Sequence, residues 1–296
     1  MSFPNFFRAL SCACFILLGS SWSPRAQAQT KVLVPPLLRS DDSEPPSLWR
    51  AEWPEFRTSE GVATIASGLA TLAIVLYGPI ERPRWQGPIL FDAAARDALR
   101  ADSSETRQTY RTVGDWTYRL SPVLPLLDVF VVSAAARSDS KLAWNLGATT
   151  FEAYSYSGLA SFISTEISAR QRPYSQCLED GECDTQSFYS GHSAIAATGA
   201  GLVCANHTRI ALYGNPVADV GACVVASANA VTTAVTRLVA DRHYATDVVV
   251  GTGLGFAFGY AVPVLLHYSY GDSARSISFA PDPKCGASCI GMRGTF

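Results

Sequence analysis

Three short clusters in this chain of 296 residues hold most of the side chains that could do chemistry. The first is Arg170–Pro173, with the sequence RQRP, and the second is Ser190–His192, with the sequence SGH. The third runs through TRLVADRHYATD and contains Arg237, His243 and Asp247. Arginines, backbone N–H groups and imidazoles suit the binding and cleavage of a tetrahedral oxyanion.

The local sequence predicts how the first two clusters are presented. Pro173 should end a long helix and leave Arg172 at its exit. Ser190 is a natural N-cap, and Gly191 lets a ligand approach the backbone. The positive end of a helix dipole would then lie beside His192, one of only 4 histidines in the chain.

The third cluster predicts an oriented imidazole. His243 and Asp247 are four residues apart, so on a helix they share a face and the carboxylate can reach the ring. A carboxylate on one ring nitrogen fixes the tautomer and leaves the other nitrogen free to attack. His192 is then available as a general acid, and the set is typical of a phosphate monoester site that uses neither a metal nor another cofactor.

These clusters resemble the three-part signature of the type 2 phosphatidic acid phosphatase and vanadium haloperoxidase superfamily. Its usual form is Lys-x6-Arg-Pro, then Pro-Ser-Gly-His, then Ser-Arg-x5-His-x3-Asp. Arg172-Pro173 matches the end of the first part, and Ser190-Gly191-His192 matches the last three positions of the second. The third part is matched by Arg237, His243 and Asp247, in the right order and with the right spacing.

The resemblance implies a role for each matched residue. His243 would attack phosphorus and form a phosphohistidine, with Asp247 orienting it. His192 would protonate the leaving alcohol. The phosphoryl oxygens would be held by Arg172, Arg237, Ser190 and the Gly191 N–H.

The chain departs from the signature at three positions. Thr165 stands where the superfamily has its lysine, Tyr189 replaces the proline, and Thr236 replaces the serine. Loss of a cation beside a developing anion can cost on the order of 10² to 10³ in rate. Arg170 or Arg242 could supply the missing charge, and Arg170, Thr165 and Tyr189 are therefore auxiliary candidates.

The remaining histidines and two helical glutamates receive no catalytic role. His207 and His267 are expected to lie at the surface, beside loops at the opposite end of the bundle. Glu152 and Glu166 are expected to be interior or capping residues.

Composition limits the class of protein. The chain is 48% apolar and 16% charged, below the roughly 25% charged residues of an average soluble domain. This indicates a large buried interior or a lipid contact. A net charge of -2 gives no basic footprint, so no nucleic-acid partner is expected.

Apolar segments of helical length, rich in Ala, Gly, Ser, Val and Leu, predict an all-α bundle of about six core helices with the site at one end. The predicted segments are 62–77, 120–137, 141–170, 191–206, 218–240 and 244–268. The domain division is a signal peptide over 1–28, an extended tether over 29–60, a helical phosphatase domain over 61–270 and a loop-like tail over 271–296.

Six of the 8 cysteines lie beyond the predicted signal peptide and fall into close couples. In an exported protein such couples predict disulfides, here Cys177 with Cys183, Cys204 with Cys223, and Cys285 with Cys289. Cysteines at both ends of the bundle, a mean hydropathy of +0.13 and the short 191–206 segment favour a non-spanning, exported protein of the periplasm or cell envelope. The alternative is an integral inner-membrane protein.

The sequence thus predicts an exported phosphoric monoester hydrolase, of the acid phosphatase or phosphatidate phosphatase type. Its substrate would be a phosphate monoester or a lipid phosphate, and membrane association is compatible with it. Three alternatives stay open: a membrane-embedded lipid phosphate phosphatase with the same catalytic residues, a vanadium-dependent haloperoxidase, and a phosphate-binding non-enzyme that lost turnover with the lysine.

Overall fold

The computed structural model describes residues 47–175, 177, 183–268, 278–281 and 290–293. The predicted signal peptide and most of the predicted tether lie outside these residues, as do Cys285 and Cys289. The helices are α1 (Thr58–Tyr77), α2 (Asp92–Leu99), α3 (Ser104–Leu120), α4 (Val123–Leu127), α5 (Ser140–Ser168), α6 (Gly191–Arg209), α7 (Pro216–Val239) and α8 (Ala245–Val262). Asp128–Ala136 continues α4 and Pro263–His267 continues α8, each as a π-helical segment.

Six long helical runs form the core of the described chain, which confirms the predicted all-α bundle. Helices α1 and α5 are parallel, because Phe56 bonds Asn145 near their starts and Arg84 bonds Ala169 near their ends. Helices α6 and α8 also begin side by side, where the Ser190 N–H donates to the Asp247 carbonyl at 3.0 Å. We call the end where α6 and α8 begin and α5 and α7 finish the upper end, and the opposite one the lower end.

Helix α6 is the centre of the bundle and packs closely on α8 through small residues. A Cβ on Gly255 would lie 2.1 Å from the Ala194 carbonyl oxygen, and one on Gly259 would lie 2.1 Å from that of Thr198. Only glycine allows the two backbones to approach so far. Nearly every residue of α6 is buried in consequence.

The lower end is closed by aromatic residues that precede α1. Trp49 and Trp53 are buried against Tyr268, with ring centroids 5.7 Å and 5.0 Å from it. The compact helical unit therefore starts at Ser47, inside the segment that the sequence predicts to be a tether.

The prediction that His207 and His267 lie at the surface is wrong. His207 is buried between Asp219, 2.7 Å from its Nδ1, and Asp128, 3.3 Å from its Nε2. His267 is fully buried and its Nε2 lies 2.8 Å from Glu152. The ring of Tyr213 covers His207 at 4.4 Å, and the ring of Phe56 covers His267 at 5.9 Å. Glu152 is interior, as predicted.

Four helical segments are long and apolar enough to cross a membrane: Thr58–Tyr77, Ser104–Ala136, Pro216–Val239 and Ala245–His267. Many of their large apolar side chains face outward, including Val62, Phe130, Val224 and Val249, each about 60% exposed. An apolar outer surface of this extent favours membrane association over the non-spanning form that the sequence favours. The short 191–206 segment is no counterargument, because α6 runs to Arg209 and is enclosed by other helices.

Two of the three predicted disulfides are present. Cys177–Cys183 closes the loop after α5 at the upper end, and Cys204–Cys223 joins α6 to α7 near the lower end. In the tail that the sequence predicts to be loop, Ser278–Pro281 (β1) and Ile290–Arg293 (β2) pair as antiparallel strands.

Candidate active site

Two of the three predicted catalytic residues, His192 and His243, line one pocket at the upper end of the bundle. Helix α5 carries one wall and the start of α6 another, while loop residues close the remainder. The pocket is lined by Ser161, Phe162, Thr165, Arg172, Gln186, Tyr189, Gly191, His192 and His243. Of the predicted auxiliary positions, Thr165 and Tyr189 thus line the pocket.

His243 lies in the loop between α7 and α8, and its two ring nitrogens have different surroundings. Nδ1 lies 2.9 Å from the carbonyl oxygen of Ser187, to which it can only donate a hydrogen bond. Nε2 is buried and has no hydrogen-bond partner among the described residues. The ring is therefore held as the tautomer whose unprotonated nitrogen is Nε2.

Positive charge around His243 reinforces this state. Burial, together with Arg172, His192 and Arg237, lowers the pKa of His243 well below its usual value. The imidazole is accordingly neutral at neutral pH, and Nε2 carries a lone pair.

Asp247 does not contact His243 in the way that the sequence predicts. The carboxylate oxygen Oδ2 lies 4.0 Å from His243 Nδ1. It accepts instead from the Ser187 hydroxyl at 2.6 Å and from the Tyr244 N–H at 2.9 Å. The reason is that His243 precedes α8, which begins at Ala245, so the two residues share no helical face; Asp247 turns back to cap the first turn.

His192 lies in the first turn of α6, where Ser190 is the N-cap as predicted. Its Nε2 is 3.5 Å from the carboxylate of Asp115 on α3, and its ring is 4.4 Å from that of Tyr118. The same carboxylate oxygen lies 3.0 Å from Arg237 Nη2. Asp115 thus joins His192 to Arg237, a link that sequence motifs gave no reason to expect.

The two motif arginines are placed differently. Arg172 lines the pocket, and its Nε lies 2.9 Å from Asp184. Arg237 is buried and also donates to the Arg111 carbonyl at 2.9 Å. Ser190 is fully buried, and its hydroxyl lies 2.9 Å from that of Ser193. Gly191 lines the pocket opposite Ser161, whose Oγ would lie 3.1 Å from an added Cβ.

Arg170 and Arg242, the two suggested substitutes for the missing lysine, do not line the pocket and make other contacts. Arg170 is fully buried between two carboxylates, Asp92 and Asp247. Helix α5 ends at Ser168, earlier than predicted, because Ala169 takes a left-handed conformation at φ 38° and turns Arg170 inward. Arg242 stacks on Tyr174, with its guanidinium carbon 4.1 Å from the ring centre. Burial and the nearby Arg172 lower the pKa of Arg242 to about 10, so it remains a cation.

The pocket therefore combines an imidazole nitrogen that has no partner among the described residues, a second histidine with its own carboxylate, and Arg172, with the buried Arg237 close enough to influence His243. Within the described part of the chain, no group of three or more His, Cys, Asp or Glu side chains could hold a metal ion. The arrangement places positive charge, which favours an anion, beside the lone pair on Nε2 of His243.

Comparison with known proteins gives two findings. The PAP2 superfamily model matches residues 146–270, a stretch that includes all three motifs. Among solved structures, the chain is similar to the first transmembrane PAP2 type phosphatidylglycerolphosphate phosphatase from Bacillus subtilis. That similarity has 18% identity and a TM-score of 0.46, and covers 70% of this chain and 96% of that one. No curated protein matches the chain.

The family match agrees with the motif order and with the pocket that gathers those motifs. Residues 146–270 of this chain match the PAP2 superfamily, the resemblance that the three motifs predict.

Proposed function

We propose that this protein is a membrane-embedded phosphatase that hydrolyses phosphate monoesters through a covalent phosphohistidine at His243. The observation that carries the proposal is the state of its ring. Nδ1 is held by Ser187, while Nε2 has no hydrogen-bond partner in the described part of the chain and belongs to a pocket-lining residue. A nucleophile needs an available lone pair and a fixed direction, and both are provided.

In the first step the lone pair of Nε2 forms a bond to phosphorus, and the bond from phosphorus to the ester oxygen breaks. Burial and Arg237 lower the pKa of His192 to about 4, whereas Asp115 and the negative charge of a bound phosphate dianion favour its protonated form. That proton passes to the ester oxygen, so the alcohol leaves neutral. In the second step a water molecule attacks phosphorus and gives a proton to His192. The P–N bond then breaks, and inorganic phosphate and the original enzyme are released.

Binding of the phosphoryl group is assigned to Arg172, to the Gly191 N–H at the start of α6, and to the field of Arg237. Repulsion between Arg172 and Arg242 is one of the forces that depress the pKa of Arg242, which supports an anion as the natural occupant. A phosphate dianion would relieve that repulsion. Ser190 supports the site by capping α6, and so keeps the Gly191 backbone in position.

The substrate is proposed to be a lipid phosphate. Four helices with outward-facing apolar side chains would hold the bundle in a bilayer, which concentrates lipid substrates near the upper end. The Cys177–Cys183 disulfide lies in a loop at that end, and disulfides persist outside the cytoplasm. The Cys204–Cys223 disulfide joins residues inside α6 and α7, with Cys204 buried, so it does not mark the side on which the lower end lies. We therefore assign the pocket to the exported side of the membrane.

The test is hydrolysis by the full chain, extracted from membranes in detergent, of a water-soluble aryl phosphate and of phosphatidic acid in mixed micelles. His243→Ala should abolish both activities, and wild-type protein quenched during turnover should carry an acid-labile phosphate on His243. His267→Gln is the matched control, because it alters a buried histidine at the lower end and should leave activity within about two-fold.

Three results would contradict parts of the proposal. Activity that survives His243→Ala rejects the mechanism. Activity found only in detergent-free soluble fractions rejects the membrane assignment. An inactive wild type whose His243→Ala variant still binds inorganic phosphate would support a binding protein, a reading favoured by Thr165 at the lysine position.

A further inference from the structure

Arg170 makes two ion pairs deep in the bundle. Its Nη1 lies 2.5 Å from Asp247 Oδ1 and its Nη2 lies 2.6 Å from Asp92 Oδ2. All three side chains are fully buried. The guanidinium is also enclosed between the rings of Trp85 and Tyr244, with its carbon 4.0 Å and 4.1 Å from the two ring centres. These contacts fix the position of the Arg170 guanidinium.

Asp92 is held as firmly. It is the first residue of α2, and its carboxylate accepts from the Ile89 N–H at 3.0 Å. It also accepts from the N–H and the hydroxyl of Thr246, at 2.8 Å and 2.9 Å. Thr246 lies in the first turn of α8, so Asp92 fixes the helix that carries Asp247.

The chain of contacts continues to the nucleophile. Asp247 accepts the hydroxyl of Ser187, and the carbonyl of Ser187 accepts Nδ1–H of His243. We propose that Asp92 and Arg170 are positioning residues, which act through Asp247 and Ser187 to hold His243 with Nε2 directed at the substrate. The inference rests on the proposed function. It assigns a role to Asp92, which lies outside the family-matched residues 146–270.

Because Asp92, Arg170 and Asp247 alternate in charge, removing Asp92 or Arg170 should shift the pKa of His243 in opposite directions. The charged groups that influence His243 are Arg172, Arg237 and His192, with Asp247 4.0 Å away. Removing Asp92 leaves the Arg170 cation less neutralised, which should lower the pKa of His243 further. Removing Arg170 leaves two carboxylates uncompensated, which should raise that pKa. Loosened packing alone would move the pKa of His243 in the same direction in both variants, so opposite shifts separate the two causes.

Steady-state kinetics of the full chain in detergent give the first measurement. Asp92→Asn should lower kcat by about 10- to 100-fold, the usual cost of losing a partner that orients a catalytic group, with KM little changed. Arg170→Lys keeps the charge but cannot bridge two carboxylates, so it should lower kcat similarly. Asp219→Asn removes another buried carboxylate, at the lower end, and should leave kcat within about two-fold.

Histidine NMR titration gives the second measurement and needs no turnover. With 4 histidines in the chain, the His243 signal can be assigned by its loss in His243→Ala. Its titration should move to lower pH in Asp92→Asn, to higher pH in Arg170→Gln, and close to the wild-type position when both changes are combined. Arg170→Lys should leave it nearly in place.

The two proposals fail in different ways. Active wild-type protein whose folded Asp92→Asn variant keeps kcat within two-fold, with an unmoved His243 titration, overturns the positioning role. Opposite shifts in a protein without His243-dependent hydrolysis support the role and reject the proposed function. If a charge variant does not fold, Thr246→Val removes only the hydroxyl shared by Asp92 and Arg170. Its kcat should fall several-fold, and an unchanged value would overturn the inference.

Discussion

Nδ1 of His243 lies 2.9 Å from the carbonyl oxygen of Ser187, whereas the carboxylate of Asp247 is 4.0 Å away. The backbone of Ser187 therefore sets the tautomer of the imidazole. Asp247 orients His243 indirectly, through Ser187, whose hydroxyl donates to the Asp247 carboxylate at 2.6 Å. The proposed nucleophile is thus linked through a serine to an aspartate.

The lowered pKa of His243 predicts where activity is lost in acid. Because its folded-state pKa lies well below 6.5, the ring should stay neutral as the pH falls through that value. The acid limb of kcat/KM should therefore lie below pH 6.5, where protonation finally removes the Nε2 lone pair. The limb should keep its position for two substrates whose phosphate groups ionise at different pH. A limb that follows the substrate, or lies at or above pH 6.5, would contradict the assignment.

Asp115 should be needed for turnover although no motif contains it. Its carboxylate lies 3.5 Å from His192 and 3.0 Å from Arg237, so it supports both the proposed general acid and a cation beside the site. Asp115→Asn should reduce kcat by about 10² or more, as expected when general acid catalysis is disabled. Asp102→Asn, an exposed change just before α3, is the control. Equal kcat values for the two folded variants would remove Asp115 from the mechanism.

Tyr189 is expected to donate a hydrogen bond to a phosphoryl oxygen. It lines the pocket, and its buried hydroxyl has no partner among the described residues. Burial raises the pKa of Tyr189 to about 12, so the phenol remains a donor. Tyr189→Phe should lower kcat/KM by roughly 10-fold or more, while Tyr77→Phe at the exposed end of α1 should have no effect. A Tyr189→Phe protein that is more stable and fully active would show that the hydroxyl only destabilises the fold and does not bind substrate.

Replacing Thr165 by lysine tests whether a cation can take over the proposed role of the Tyr189 hydroxyl. Thr165 lines the pocket with Tyr189, at the position where the motif has its cation. Thr165→Lys should raise kcat/KM in the Tyr189→Phe background, because a charge-assisted bond can replace the lost phenol. Restoration to within about ten-fold of wild type is expected from paired kinetic assays. A further loss would mean that the pocket has no room or use for the cation.

The glycines of α8 provide a prediction about stability. A Cβ at Gly255 would lie 2.1 Å from the backbone of Ala194, whereas one at Gly253 meets nothing within 4 Å. Gly255→Ala should cost about 1–3 kcal/mol through overpacking. Gly253→Ala should be neutral or stabilising by up to about 1 kcal/mol, since alanine favours helix. Thermal unfolding in detergent compares the two, and equal Tm values would refute close α6–α8 packing.

The sequence alone determined the helical class, the order of the helices and the three clusters that meet at the pocket. Apolar runs rich in small residues fix the first two, because such runs can bury themselves only as packed helices. Short motifs such as Ser190–His192 are local, since a cap, a glycine and a histidine act within one helical turn. Their chemistry can therefore be predicted from the sequence.

Tertiary structure decided the partners of these residues. Asp92 and Asp115 come from helices far along the chain from His243 and His192, and only the packing of α2 and α3 brings their carboxylates to the site. Spacing predicted a direct contact from Asp247 to His243, but the start of α8 at Ala245 prevents it. Which faces are exposed also depends on packing. His207 and His267 have polar neighbours in the sequence, so their burial could not be predicted from it. The outward apolar faces follow from the central position of α6, which only the packing of the helices determines.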